Sequence, residues 1–354
     1  MSSDSGDTDD GGYDCTADLE TLEKELKGLG LAPKTAERYS HAVDQFHDWC
    51  RTAGKPIPDD SETIDLFCAL YLVDRRNRGF APSSAVVSGL RSTRPGLQLP
   101  YTLRIIAVTT RAWKVRPALP FDEDMVLAIC AKACARKEWS WLVTNLAMWI
   151  AYLRVSEALR LKPSDISILD NDTKVIFSLP SSKTSANRPD SVLIDGVRDP
   201  SMVPWIKMLK DALQKLAQSR LRGRVNTEKL RRRFEGSLIN GMSYTKFSAR
   251  YNELFEYFGA DRAGLNNCSS LPAVTRGLTF RSHSMRRGRC TDALCRGHSI
   301  ESIMIEGRWQ HLKSFRRYCA ASLACLVSTE KLAANNSKLR EYMDLGRGIR
   351  AQYR

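Results

Sequence analysis

The sequence predicts a mainly α-helical protein, with a helical N-terminal domain followed by an α-rich second domain that holds a small antiparallel β-sheet. Three observations predict this fold class. Apolar residues recur with helical spacing over most of the chain, a proline-containing linker interrupts them, and two short β-branched segments follow it. The length of 354 residues suits two domains of ordinary size.

The N-terminal domain is expected over residues 17–116, after a disordered acidic tail at 1–16 that is rich in Ser, Asp and Gly. A helix is predicted from Pro33, a second spans Ile64 to Leu72, and a third starts after Pro82-Ser83-Ser84. One buried stripe at helical spacing consists of Tyr39, Val43, Phe46 and Cys50.

The second domain is expected over residues 117–336, after the linker at 114–120. Two β-branched segments, 174–179 and 191–194, predict an antiparallel hairpin. Residues 218–240 form a basic insertion without an assigned role. Helices are predicted at 122–136, 139–161, 202–219, 244–258, 284–296, 299–306 and 312–327.

The C-terminal residues 337–354 predict one further short helix. Leu339, Tyr342 and Met343 form an apolar stripe, and Gly346 supplies a stop signal. Such a short helix is marginal alone and needs a groove. The groove belongs either to its own second domain or to a neighbouring protomer.

The chain is strongly basic outside its first residues. It has 54 Lys and Arg against 40 Asp and Glu, a net charge of +14. Residues 1–12 hold four Asp and no basic side chain, so the other 342 residues carry 54 basic and 36 acidic side chains, a net charge of +18. This balance favours a polyanionic partner such as nucleic acid, although solubility alone also accounts for surface charge.

Membrane and secreted classes are disfavoured. The most apolar stretch, residues 141–153, is shorter than the roughly 20 residues of a membrane span, and no basic-then-apolar signal peptide opens the chain. The ten cysteines show no CxxC pair and no Cys/His zinc spacing, which is typical of reduced core cysteines in the cytosol or nucleus.

Four separated features carry residue types suited to chemistry on a phosphodiester. Each has an ordinary structural explanation when it is taken alone: a surface ion pair, a solvated loop lysine, a basic helix face and core aromatics. The features are Arg154 with Glu157 one turn later, Lys183 at the tip of the hairpin, His283-Ser-Met-Arg286 with two further arginines, and Gly307-Arg308-Trp309 with Tyr318 nine residues after the Trp.

In this order the features resemble the tyrosine recombinase (phage integrase) family. Its pattern is Arg, Lys, His-x-x-Arg, His or Trp, and then Tyr, behind a helical core-binding domain. The resemblance covers about residues 20–325 and is most specific over 280–318. Its context is more similar to integrases of eukaryotic mobile elements than to short bacterial ones. The six positions read Arg154, Lys183, His283, Arg286, Trp309 and Tyr318.

The resemblance implies a site-specific recombinase that cuts and rejoins DNA. Tyr318 is then the nucleophile of a 3′-phosphotyrosyl intermediate and Lys183 the acid for the leaving 5′-oxygen. The other four residues stabilise the phosphate, and neither a metal nor another cofactor is needed. The partners implied are double-stranded DNA and further copies of the chain in a tetramer on DNA, with no membrane. The location is the nucleus for a eukaryotic source, and otherwise the cytoplasm or nucleoid. Residues expected to bind DNA are Lys34, Arg38, Arg91, Arg287 and Arg289.

Two other activities remain open at this point. A type IB topoisomerase uses the same strand chemistry on one strand, and an integrase-derived DNA-binding protein would have none. The predicted N-terminal helical domain favours a recombinase over the topoisomerase, because it would complete a clamp around the DNA. Occupation of all six positions argues against a protein that has lost catalysis.

Overall fold

The computed structural model describes residues 33–81, 83–112, 118–179, 190–221, 236–239, 241–272, 277–319 and 327–354. The chain divides into two compact units, Met1–Val115 and Arg116–Arg354. The acidic tail, Lys183 and most of the basic insertion lie outside the described residues. The mainly α-helical class with a small antiparallel sheet is confirmed.

Four helices form over the described part of the first unit: α1 (Pro33–Thr52), α2 (Ser61–Asn77), α3 (Ala85–Thr93) and α4 (Pro100–Ala112). The α1 stripe predicted from the sequence turns inward, and Phe46 and Cys50 are fully buried in the core of this unit. Asp65 on α2 is buried as well, and its carboxylate accepts the backbone N–H groups of Tyr101 and Thr102, each at 2.8 Å. A side chain of one helix thus satisfies the free donors at the start of another.

The second unit is built from helices around a three-stranded sheet. Its largest buried cluster draws on α5 and α6, which are buried along nearly their whole length. The described elements are α5 (Glu123–Ala135), α6 (Trp139–Ile150), α7 (Val155–Ala158), β1 (Ile166–Leu169), β2 (Lys174–Leu179), β3 (Asp190–Asp195), α8 (Val203–Leu221), α9 (Tyr244–Tyr257), α10 (Arg262–Asn267), α11 (Ser284–Cys295), α12 (Ile300–Glu306), α13 (Leu312–Arg316), α14 (Thr329–Ala333) and α15 (Ser337–Ala351).

The sheet has the order β1-β2-β3, and both pairings are antiparallel. The predicted hairpin is confirmed as β2 and β3, in which Val175 pairs with Ile194 and Phe177 pairs with Val192. These four side chains are buried because alternate residues of a strand face the same side. The four-residue strand β1 was not predicted, since a run this short carries little periodic signal.

The helix predicted over 139–161 is wrong in its extent. It ends at Ile150, and α7 begins separately at Val155. Tyr152 adopts a left-handed backbone with φ of 50°, and Arg154 is extended, so the α-helical hydrogen bonds cannot continue between them. The break places Arg154 at the start of a new helix. The helix predicted over 312–327 is described only as Leu312–Arg316, and residues 320–326 lie outside the described part.

Helix α11 is held close to the segment that precedes α5. The Leu119 N–H donates to the Thr279 carbonyl at 3.0 Å, and the Phe121 N–H donates to the Ser284 carbonyl at 3.1 Å. Gly288 makes this approach possible, because a Cβ there would overlap the carbonyl oxygen of Phe121. The position of residues 283–289 therefore depends on residue 288 being a glycine, which has no side chain.

We expect Gly288→Ala to lower the free energy of unfolding by about 1–3 kcal/mol, because the added methyl group forces two backbones apart. Chemical denaturation of the full-length protein measures the change. Gly348→Ala is the matched control, since nothing lies within 4 Å of that position in α15 and Ala favours a helix. Equal stabilities of the two variants would contradict the close approach.

The C-terminal helix packs on its own chain. Leu339 and Met343 are buried against the second unit, and a Cβ at Gly346 would overlap the backbone of Leu127 on α5. At the rim, Arg347 bonds Asp124 at 2.5 Å. In this single chain the helix lies in a groove of its own second unit, and its exchange between protomers stays a prediction. No helix among the described residues combines the length and apolarity that crossing a membrane requires.

Candidate active site

Arg154 is fixed at the start of α7 by Glu157. The Arg154 N–H donates to Glu157 Oε2 at 2.7 Å, and its Nη1 donates to Oε1 at 2.6 Å. The Glu157 side chain is 1% exposed, whereas that of Arg154 is 28% exposed. The buried carboxylate thus fixes the Arg154 guanidinium, which remains partly exposed to solvent. This contact was predicted from the i, i+3 spacing.

Glu157 also binds a second guanidinium, that of Arg308, at 2.7 Å. Burial acts to raise the pKa of the Glu157 carboxyl, but Arg308 and the N–H of Arg154 outweigh burial and hold the pKa below its usual range. Glu157 therefore stays ionised, and one buried negative charge is shared by two arginines.

His283 precedes α11 and lies exposed at the cleft. Partial desolvation lowers the pKa of the imidazole, and the positive charges of Arg286 and Arg281 lower it further. His283 is therefore neutral at pH 7. The ring of Tyr244 lies 6.5 Å from the imidazole, and the Tyr244 hydroxyl is 3.3 Å from that of Ser282.

Arg286 lies below the cleft rather than on its surface. It is 1% exposed, and its terminal nitrogens donate to the carbonyls of Tyr152 and Gly307. The guanidinium carbon lies 4.2 Å from the ring centroid of Trp309 and 5.6 Å from that of Tyr318. In this conformation the positive charge of Arg286 lies close to the rings of Trp309 and Tyr318, and both of its terminal nitrogens are bonded to backbone carbonyls.

Trp309 and Tyr318 pack against each other. Their ring centroids are 5.2 Å apart with an edge-on geometry. Trp309 is buried in a small cluster with Tyr152 and Phe315, while Tyr318 is half-buried at its edge. The core-aromatic interpretation thus holds for the body of Trp309. The place of Tyr318 at the cleft leaves a chemical role open as well.

Arg287 contacts backbone oxygens and Arg289 is enclosed. Arg287 donates to the carbonyls of Ala118 at 2.9 Å, Tyr318 at 3.4 Å and Arg317, so its observed contacts hold the segment that carries Tyr318. Arg289 is 1% exposed, and it pairs with Asp199 and Asp292. The prediction that Arg289 binds DNA is wrong, because its guanidinium is already paired inside the protein.

The other predicted DNA-binding residues lie on the first unit. Lys34 and Arg38 are exposed on the first turns of α1, and Arg91 is exposed near the end of α3. The Nε of Arg91 donates to the carbonyl of Leu97 at 3.1 Å. A role in DNA binding stays a prediction for these three residues and for Arg287.

One cleft of about 430 Å³ brings the site residues together. Its lining comes from the segment before α5, the N-terminal ends of α7 and α11, the turn before α13, α13 itself and the residues after it. Lys183 lies outside the described residues. The residues that line the cleft are Ala118, Arg154, His283, Arg287, Trp309, Ser314, Arg317 and Tyr318.

Three polar residues in or near the cleft were missed by reasoning from the sequence. Ser314 and Arg317 line the cleft, and Arg308 binds Glu157 behind it. Their only signal was proximity to Trp309 and Tyr318 in the chain. Across the described ranges, no group of three or more His, Cys, Asp or Glu side chains is placed to hold a metal ion.

Comparison with known proteins gives similarity at the level of structure. No protein-family model matches the sequence, and no curated protein is similar to it in sequence. A lambda integrase (75–356) dimer bound to a COC′ core site is 18% identical, with a TM-score of 0.54, and the match covers 86% of this chain and 95% of that one.

Two further solved structures are similar over most of the chain. A lambda integrase tetramer bound to a Holliday junction is 19% identical with a TM-score of 0.50, covering 88% of this chain and 79% of that one. XerH site-specific recombinase in a post-cleavage complex with palindromic difH substrate is 15% identical, also with a TM-score of 0.50, covering 86% and 80%. At these identities the comparison shows a shared fold.

Proposed function

We propose that this chain is a site-specific DNA recombinase of the tyrosine recombinase family, acting through a 3′-phosphotyrosyl intermediate. The observation that carries the proposal is the single cleft in which Arg154, His283, Trp309 and Tyr318 meet. These residues come from parts of the chain 164 positions apart, so their meeting is a property of the fold. The fold shared with lambda integrase and XerH recombinase supports the same reaction class.

The reaction exchanges one phosphorus–oxygen bond for another. Tyr318 Oη bonds to the scissile phosphorus while the bond to the 5′-oxygen breaks, and the phosphodiester energy is kept in the tyrosyl link. Neutral His283 can accept the phenol proton. Lys183 is the proposed donor of the proton to the leaving 5′-oxygen. Reversal with a different 5′-hydroxyl rejoins the strand.

Charge stabilisation comes from arginine. Negative charge builds on the non-bridging oxygens in the transition state, and permanently charged, planar guanidinium groups are suited to bind it. Arg154 presents an open edge at the cleft, and Arg286 adds positive charge from below the Trp309 ring. The indole N–H of Trp309 adds a directed donor to a phosphate oxygen.

A pool of nicked duplexes with randomised cores tests the proposal without knowledge of the target site. A nick beside the cut lets the short 5′-hydroxyl fragment leave, so the covalent complex accumulates. We expect full-length protein to form an SDS-resistant, protease-sensitive adduct whose trapped DNA shares one sequence. Absence of any adduct would point instead to a DNA-binding protein. With two intact selected sites, strand exchange distinguishes a recombinase from an enzyme that only relaxes supercoils.

Affinity for DNA is expected to fall steeply with salt. The +18 charge outside residues 1–12 engages phosphates, and each neutralised phosphate contributes a slope of about −0.9 to log K against log[salt]. Fluorescence anisotropy with a selected duplex between 50 and 200 mM salt measures the slope. Arg38→Gln should make the slope shallower by about 0.9 if Arg38 contacts a phosphate. A slope near zero for the unmodified protein would contradict polyanion binding.

A further inference from the structure

Arg308 joins two carboxylates that lie behind the cleft. Its side chain is 9% exposed, Nη2 bonds Glu157 Oε2 at 2.7 Å, and Nε lies 3.4 Å from Asp190 Oδ2. Asp190 opens β3 and is the first described residue after the segment that contains Lys183. Arg308 itself immediately precedes Trp309. It is therefore in contact with the supports of the site, while the cleft lining does not include it.

Glu157 carries one negative charge and is bonded by two positively charged guanidinium groups. Each oxygen of this fully buried carboxylate accepts from a different guanidinium, Oε1 from Arg154 and Oε2 from Arg308. Without Arg308, the whole charge of Glu157 would fall on Arg154, and Oε2 would lose its side-chain donor. Both changes draw the Arg154 guanidinium toward the interior, because a buried carboxylate left short of donors is costly.

Arg308 lies in the turn that ends helix α12. Its φ is 58°, in the left-handed region that a residue with a Cβ enters at a cost. Tyr152, whose carbonyl accepts from Arg286, is left-handed as well, with φ of 50°. The end of α12 accounts for this conformation at Arg308, because the Arg308 N–H donates to the Ile305 carbonyl at 3.1 Å and the Trp309 N–H donates to the Met304 carbonyl at 2.9 Å. These backbone hydrogen bonds fix the turn from which the Arg308 side chain reaches Glu157.

We propose that Arg308 is a positioning residue for Arg154: it shares Glu157, and so leaves the Arg154 guanidinium aimed at the cleft with positive charge available to a phosphate. The proposal rests on the proposed DNA-cleavage function. It assigns to Arg308 an effect on the charge that the substrate meets, and no contact with the substrate.

The left-handed backbone gives a mild way to remove this side chain. Arg308→Gly deletes the guanidinium and relieves the backbone, since glycine adopts positive φ freely. Lys137→Gly is the matched control, because Lys137 has φ of 56°, is exposed and lies away from the cleft lining. Both variants lose one positive charge and gain one glycine at the same backbone conformation. Arg308→Lys keeps the charge but loses the planar fork.

Adduct formation on the selected nicked duplex is then measured with two scissile groups, the natural phosphodiester and an uncharged methylphosphonate. We expect Arg308→Gly to slow cleavage of the phosphodiester by about 10-fold to 100-fold, the range for loss of one buried charged hydrogen bond. On the methylphosphonate, Arg308→Gly should slow cleavage by only about 3-fold or less, because less negative charge develops on the non-bridging positions of this uncharged group in the transition state. The cleavage rate of Arg308→Lys on the phosphodiester should lie between the rates of Arg308→Gly and the unmodified protein. The rate of Lys137→Gly should equal that of the unmodified protein.

Two outcomes would overturn the proposal. The first is cleavage of the phosphodiester by Arg308→Gly at the unmodified rate. The second is an equal loss on both substrates, which a purely structural role would produce. Failure of the unmodified protein to form an adduct is a different result, and it would refute the proposed function itself.

Discussion

Tyr318→Phe should abolish the covalent protein–DNA adduct while leaving DNA affinity unchanged. The substitution removes only the attacking oxygen. The phenyl ring can keep its edge-on contact with Trp309, whose centroid lies 5.2 Å away. Gel analysis in SDS after incubation with the nicked duplex measures the adduct, and anisotropy on the same duplex measures binding. No adduct is expected above background at any incubation time.

Tyr342→Phe serves as the control for this experiment. Tyr342 lies on α15 and packs against Tyr257 and Phe258, away from the cleft lining. Its variant should form the adduct at the unmodified rate. Persistence of an SDS-resistant adduct in Tyr318→Phe would move the nucleophile to another residue. Loss of the adduct in Tyr342→Phe alone would identify Tyr342 instead.

Arg154→Ala should slow adduct formation by about 10²–10³-fold, the scale for loss of one transition-state donor. The fold should tolerate the change, because Glu157 keeps the hydrogen bonds from Arg308 and from the backbone of residue 154. Single-turnover cleavage of the nicked duplex measures the rate, and thermal unfolding checks the fold. Arg154 is a cleaner test than Arg286, whose buried guanidinium also bonds two backbone carbonyls.

Arg160→Ala is the matched control, since Arg160 is exposed shortly after α7 and does not line the cleft. It should cleave at nearly the unmodified rate. Arg154→Lys should recover part of the activity, because it keeps a charge without the planar fork. Near-normal cleavage by Arg154→Ala would remove Arg154 from the proposed site.

The parts of the site that could be predicted from the sequence are the local ones. Arg154 and Glu157 are three residues apart at a helix start, so their contact follows from helical geometry. The hairpin of β2 and β3 followed from two adjacent β-branched segments. The choice of six site positions needed more than spacing, because each has an ordinary structural explanation, and it came from the family resemblance.

What could not be predicted depends on distant parts of the chain. Arg289 is buried because Asp199, 90 residues earlier, supplies a carboxylate beside it. Arg286 lies beneath Trp309 because the Tyr152 carbonyl, 134 residues earlier, accepts from it. A single sequence gives no signal for pairings at such separations. Arg308 was missed for the same reason, since Glu157 lies 151 residues before it.

The packing of α15 on α5 has a consequence for the order of events during synthesis. The ribosome makes Leu127 roughly 220 residues before Gly346, a gap of about 10–45 s at ordinary elongation rates. Throughout that interval the surface of α5 that contacts Gly346 has no partner, and Asp124 lacks Arg347. The core of the unit that carries the cleft therefore cannot be completed until α15 has emerged from the ribosome, and Tyr318 lies in an unfinished fold until then.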